Sequence, residues 1–265
     1  MAVESGRFAL TFQALWRCNI RGGIAAPITG SKMRTTFCLL AALWVSCASA
    51  NTIALWTFET SIPNSAGPHV AEEGVNTPIS NASSVHSSPD AIFIARVGNG
   101  SNWSFNSIDW NIGDYYQFQT STLGFEAIKI SFDQTSSRRG PRDFELQYST
   151  DGASFTNFAS YSVLPNVAPD FWDPPVHHPQ YGFDFDLSSI AALNDRPIVY
   201  LRLLDTGTTS ANGDSVLNVG TDRVDSFAIS GISSSPAAIP LPAALIPGAL
   251  LLVSVVCIRR STSHH

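Results

Sequence analysis

Three carboxylates, Glu59, Asp222 and Asp225, first invite a chemical reading. Glu59 follows the strand-like run IALWTF at 53–58, and both aspartates sit in the last such run, DRVDSFAISG at 222–231. If the first and last strands lie side by side, oxygens from both ends of the domain meet there. A Ca²⁺ ion takes about six to eight oxygen ligands, so a structural calcium is one expectation, with Asp205 and Asp214 as further donors. The plainer alternative is a set of solvated acids on an acidic surface. A second set is aromatic: Trp103, Trp110, Tyr115, Tyr116, Trp172 and Tyr181 offer faces on which sugar rings could pack. Trp172, in DFWDPP between loop prolines, is expected to be exposed, and Trp172 and Tyr181 are the candidate ligand-binding residues.

Other combinations carry less. His177 and His178 are adjacent, and neighbours on an extended segment point opposite ways, so they do not make a metal site with Asp173. STDGASF at 149–155 resembles an Asp-box, but one copy reads as a hairpin turn. Arg138, Arg139 and Arg142 form a basic spot around a Gly-Pro turn. Asp184 and Asp186 alternate with Phe183 and Phe185, which reads as the polar face of a strand rather than a glycosidase pair. There is no G-x-S-x-G elbow, no H-E-x-x-H and no phosphate-cradling glycine loop. The expectation is a binding or structural protein, not an enzyme.

The elements that must hold these groups read as strands. YYQFQTS (115–121), AIKISFDQTS (127–136), DFELQYS (143–149), SFTNFASYSV (154–163), YGFDFDL (181–187) and PIVYLRLLD (197–205) join the two runs above. They are β-branched and aromatic, separated by turn residues, with period-2 alternation and almost no helical period. Alternation implies antiparallel strands with one face buried. Eight or more such strands predict an all-β, antiparallel two-sheet β-sandwich of jelly-roll type over 51–231. LSSIAAL (187–193) is the single helical hint, and 61–90, 164–180 and 206–221 read as long loops.

The ends of the chain carry addresses. Met33-Arg34, an apolar run from Phe37 to Val45, and Ala48-Ser49-Ala50 have the layout of a secretory signal (33–50), with a mature chain starting at Asn51. Residues 1–32 then read as a doubtful leader from an upstream start. The four cysteines, Cys18, Cys38, Cys47 and Cys257, all fall outside 51–236. Residues 51–236 hold 20 acidic and 8 basic residues, a net charge of −12, which disfavours nucleic acid as a partner. After a short linker (232–238) comes an uncharged apolar stretch, 237–258, ending in Arg259 and Arg260. About 20 such residues span a bilayer core, and the arginines put the C-terminus on the cytoplasmic side. A signal helix and a C-terminal transmembrane helix thus flank the sandwich.

Ile239-Pro240-Leu241-Pro242-Ala243, the apolar run and the two arginines together (239–265) resemble the sorting tail of PEP-CTERM proteins, in its V-P-L-P-A variant. The resemblance implies processing by an exosortase-like enzyme, transient anchoring in the inner membrane, and delivery to the surface or matrix of a Gram-negative bacterium. The order GDYYQFQTS, AIKISFDQTS, DFELQYSTDG, IVYLRLLDTGTTSANG and DRVDSFAISG is similar to a β-sandwich module of such surface proteins, with a galactose-binding-like or jelly-roll fold. It implies a structural or adhesive role in exopolysaccharide or biofilm; the alternatives are a calcium-stabilised lectin-like module and a secreted hydrolase on the same scaffold.

Overall fold

The computed structural model describes residues 50–234. The leader 1–32, the signal residues through Ser49, the sorting motif Ile239–Ala243, Arg259, Arg260 and the transmembrane stretch lie outside the described residues. Among the described residues, no helix is long and apolar enough to cross a membrane.

The described chain forms twelve strands: β1 (Ala50–Trp56), β2 (His69–Val70), β3 (Asn81–Val85), β4 (Phe93–Arg96), β5 (Ser104–Ile108), β6 (Tyr115–Thr120), β7 (Phe125–Ser136), β8 (Asp143–Ser149), β9 (Thr156–Ser162), β10 (Gly182–Asp186), β11 (Val199–Asp205) and β12 (Thr221–Ser233). They make two six-stranded sheets. Sheet A runs β10-β7-β12-β5-β4, with β1 also on β12, and sheet B runs β2-β3-β6-β11-β8-β9. The ladders are antiparallel. This is the all-β two-sheet sandwich the alternation predicts, and the first and last strands do pair, Trp56 opposite Phe227.

Long β12 serves two partners on one edge: Thr221–Val224 pair with β5 and Phe227–Ile232 with β1. Between these stretches the register on β7 shifts at Ser226, whose φ is 50°. The extra residue of the bulge lets Val224 and Phe227, three positions apart, both point into the core. The core is aromatic, with Trp56 edge-on to Phe118 at 5.2 Å and to Phe227 at 6.0 Å. The indole Nε1 donates to the His69 carbonyl at 3.0 Å, so its one polar group is satisfied.

Four strands went unread in the sequence. β2 to β5 are short, and in NASSV and SFNSI the apolar residues fall three positions apart among small polar ones, with no alternation to betray a strand. Their pairing with β6 and β12 makes them strands. LSSIAAL supplies only a single 3₁₀ turn at Ala191–Leu193.

Candidate functional site

The structure does not bring Glu59, Asp222 and Asp225 together around an ion. Asp222 and Asp225 are an odd number of positions apart on β12 and leave it on opposite faces. Asp222 points between the sheets, where Gln134 Nε2 and Ser136 Oγ donate to its carboxylate at 2.9 Å each. Asp225 points outward and receives Asn99 N at 3.0 Å and Ser101 Oγ at 2.6 Å. Glu59 receives Trp103 N at 2.9 Å and Asn102 Nδ2 at 2.7 Å. Glu59 and Asp225 therefore fasten the two ends of one loop, 99–103, rather than share a cation. Among the described residues no group of three or more His, Cys, Asp or Glu side chains is arranged to hold a metal.

Burial sets the protonation of these groups. It pushes the Asp225 carboxyl up to about 7, outweighing the hydrogen bonds from Ser101, Asn99 and Ser226 that pull it down. Burial likewise raises Asp222 well above the ordinary carboxylate range, against Gln134 and Ser136.

Trp172, expected at the surface, and Tyr181, the other ligand-binding candidate, are buried, with 3% of each exposed. They pack edge-on at 6.1 Å under the strap between β9 and β10, and the Tyr181 hydroxyl donates to the Pro165 carbonyl at 3.3 Å. Flanking prolines did not force exposure, because the strap folds back onto sheet A: Asn166 N donates to Ser136 O at 2.7 Å and Gly100 N to Asp173 O at 3.1 Å. Neither ring is open to a sugar. His177 and His178 diverge as expected, toward Asp133 (3.2 Å) and Asp170 (3.9 Å). Asp184 and Asp186 line the exposed side of β10, with Asp186 3.0 Å from Lys129. Two shallow grooves of about 370 and 310 Å³ run along that side and share Ser131 and Asp184. The 149–155 segment is a hairpin turn, in which Asp151 accepts Ala153 N and Ser154 N at 2.8 Å each.

The arrangement best suited to hold a ligand is the outer face of sheet B. On β6 and β11 alternate residues go inward, among them Tyr116, Phe118, Leu201 and Leu203. That leaves Tyr115, Gln117, Gln119, Tyr200 and Arg202 on the outside, all partly exposed. The register then aligns side chains from five strands. Ser83 lies opposite Gln117, Gln117 opposite Arg202, Arg202 opposite Gln147, and Gln147 opposite Asn157. At about 4.8 Å between strands, this row of hydroxyl, amide and guanidinium groups spans about 19 Å.

The row is internally braced. Arg202 Nε donates to Gln117 Oε1 at 2.9 Å, and Gln147 Nε2 donates to Asn157 Oδ1 at 2.7 Å. The Arg202 guanidinium is sandwiched, 3.9 Å from the Tyr115 ring centroid and 3.5 Å from that of Phe155. Burial between the rings lowers its pKa from the ordinary value, with Tyr115 acting the other way. An arginine nonetheless stays charged at physiological pH. Beside it, the turn backbone rests on Tyr200: Gly152 has φ +73°, and a Cβ there would lie 2.9 Å from the Tyr200 Cζ. Aromatic and planar polar groups on a preformed surface are what bind sugars, the rings packing on C–H faces and the amides pairing with hydroxyls. The alternation in YYQFQT and VYLRLLD was a signal for these residues. The expectation fixed instead on tryptophan in a loop.

No family model and no curated protein sequence matches this chain. Among solved structures it is similar to the CBM22-1–CBM22-2 tandem domain of Paenibacillus barcinonensis Xyn10C, at 11% identity and a TM-score of 0.40, covering 74% of this chain and 49% of that one. It is also similar to the CBM22-1–GH10 modules of Clostridium thermocellum endo-1,4-β-D-xylanase 10B, solved with xylohexaose, at 13% identity and a TM-score of 0.38, covering 71% and 30%. A third is the N-terminal cellulose-binding domain of Cellulomonas fimi β-1,4-glucanase C, at 11% and 0.29, covering 59% and 91%. The chain thus spans less than half the length of the first two of these structures. Likenesses at this level leave the site to be read from the chain's own residues.

Proposed function

We propose that this is an exported, cell-surface β-sandwich that holds extracellular polysaccharide on the outer face of sheet B and catalyses no reaction. The observation that carries the reading is the row Ser83, Gln117, Arg202, Gln147 and Asn157, flanked by Tyr115 and Tyr200. A glycan lying across the strands would meet hydroxyl partners at every strand spacing, on a surface that needs no rearrangement. Export rests on the sequence: the A-x-A site before Asn51, and the Ile239–Ala243 motif with Arg259 and Arg260, which an exosortase-like enzyme would process after transient insertion in the inner membrane of a Gram-negative host. Cleavage after Ala50 would cost β1 one residue pair and leave it joined to β12 from Asn51 onward.

Affinity electrophoresis in gels cast with the host's exopolysaccharide tests the binding. The full-length protein is expected to be retarded, and Gln147→Ala and Tyr200→Ala to lose about 5- to 10-fold in affinity each, the equivalent of about 1 kcal/mol for a lost hydrogen bond or ring contact. Unretarded migration of the parent protein would end the glycan reading. Intact mass of the protein recovered from membrane and extracellular fractions tests sorting: a species ending between Ala238 and Ala243 supports it, and an intact tail held in the membrane makes the segment a plain anchor.

A further inference from the structure

Resting on the glycan reading just given, we infer that the glycan carries carboxylate groups, as uronate units do, and that Arg202 is the residue that reads them. The guanidinium is held in a fixed plane by Tyr115 on one side and Phe155 on the other. Its Nε is committed to Gln117, and among the described residues neither Nη atom donates a hydrogen bond. What remains toward solvent is the pair of parallel N–H groups that matches a carboxylate in bidentate fashion.

Neutral hydroxyls do not need this device, since Gln117, Gln147 and Asn157 in the same row already supply amide donors and acceptors. A cation half withdrawn from water without a counter-charge costs free energy. The domain has carboxylates in excess with which to neutralise it. Arg142 pairs with Asp143 and Lys129 with Asp186, and Arg223, the other partly buried arginine without an ion pair among the described residues, donates to the Val97 carbonyl at 3.4 Å. At Arg202, however, both directly facing positions are glutamines, and among the described residues it forms no ion pair. The nearest acid on the same face of β8, Glu145, faces Leu204 and is diagonal to Arg202.

Charge also limits the density of acid on the ligand. A net charge of −12 over residues 51–236 repels a polyanion with a carboxylate on every unit. That repulsion is screened beyond about 8 Å at physiological salt. The ligand that fits is a mainly neutral polysaccharide with spaced acidic units, one of which docks on Arg202.

The test is calorimetric titration of the full-length protein with short galacturonate, glucuronate and mannuronate oligomers, each beside its methyl ester, and with neutral oligosaccharides. The ester removes the charge and keeps the sugar, so the comparison needs no variant. At least one acid oligomer is expected to bind at least tenfold tighter than its ester. Arg202→Lys and Arg202→Gln should abolish that preference, so that acid and ester bind alike, with near-UV circular dichroism unchanged, whereas Gln147→Ala should weaken acid and ester by the same factor and keep it. Equal binding of acid and ester, or binding of neutral glycans alone, overturns the inference and leaves the glycan reading standing. Failure of every glycan to bind overturns both. A poly-glutamate peptide that binds as tightly as the uronate would show Arg202 to be a general carboxylate site and also overturns the inference.

Discussion

Replacing Asp225 with asparagine should flatten the pH dependence of this domain's stability. Asp225 is fully buried, and its carboxylate receives Asn99 N at 3.0 Å, Ser101 Oγ at 2.6 Å and Ser226 N at 2.7 Å. Burial nevertheless raises its pKa from 3.8 to about 7. The protonated form suits the geometry: when Ser101 Oγ turns its single proton to the Trp103 carbonyl at 3.1 Å instead, its oxygen accepts the proton of the Asp225 carboxyl. A carboxyl whose pKa is higher folded than unfolded stabilises the fold fully below pH 3.8, and that contribution is lost as the pH rises to about 7. At about 1.36 kcal/mol per unit, the rise amounts to about 4 kcal/mol between pH 4 and pH 8. The substituted amide cannot ionise, so the variant escapes this loss. It does place an amide N–H₂ against either Asn99 N–H or Ser226 N–H, at a cost of about 1–3 kcal/mol at every pH. Urea unfolding followed by tryptophan fluorescence, at unit steps from pH 4 to pH 8, gives both curves. Asp225→Asn should be the less stable protein at pH 4 and the equal or more stable one at pH 8, with the difference moving by about 4 kcal/mol. Parallel curves would refute the reasoning, since they would mean Asp225 ionises in the folded state as it does in the unfolded one.

Trp172→Ala should lower stability by about 3–5 kcal/mol, as for a core tryptophan, while the folded protein keeps its glycan affinity; lost affinity in folded protein would return the site to the strap. Asn106 is buried with both amide atoms unpartnered, so Asn106→Leu should raise the urea midpoint, by about 1–2 kcal/mol in stability. A lower midpoint would show that the amide has a partner. Gly140→Ala and Gly220→Ala should each destabilise by about 1–3 kcal/mol or more, because their Cβ atoms would sit 2.1 Å from the Thr221 and Arg139 carbonyl oxygens, where two backbones cross. Wild-type midpoints for either would mean the crossing is looser than described.

Alternation along single strands was enough to reveal the sandwich. Tyr116 and Phe118 set against Tyr115, Gln117 and Gln119, and Phe183 and Phe185 set against Asp184 and Asp186, declare an inner and an outer face wherever the strand is packed, because successive side chains of extended backbone must oppose. The same rule already separated His177 from His178, and it separates Asp222 from Asp225, whose odd spacing on one strand is incompatible with a shared ion. What tertiary structure decided is which outer face stays open and which residues lie abreast on it. Trp172 sits in an irregular segment with no period, and its burial follows from the strap closing on sheet A. The hydrogen bond between Gln117 and Arg202 joins residues 85 positions apart. Register between strands so distant is set by how the apolar faces of the two sheets fit together, which is not a property of any local stretch of chain.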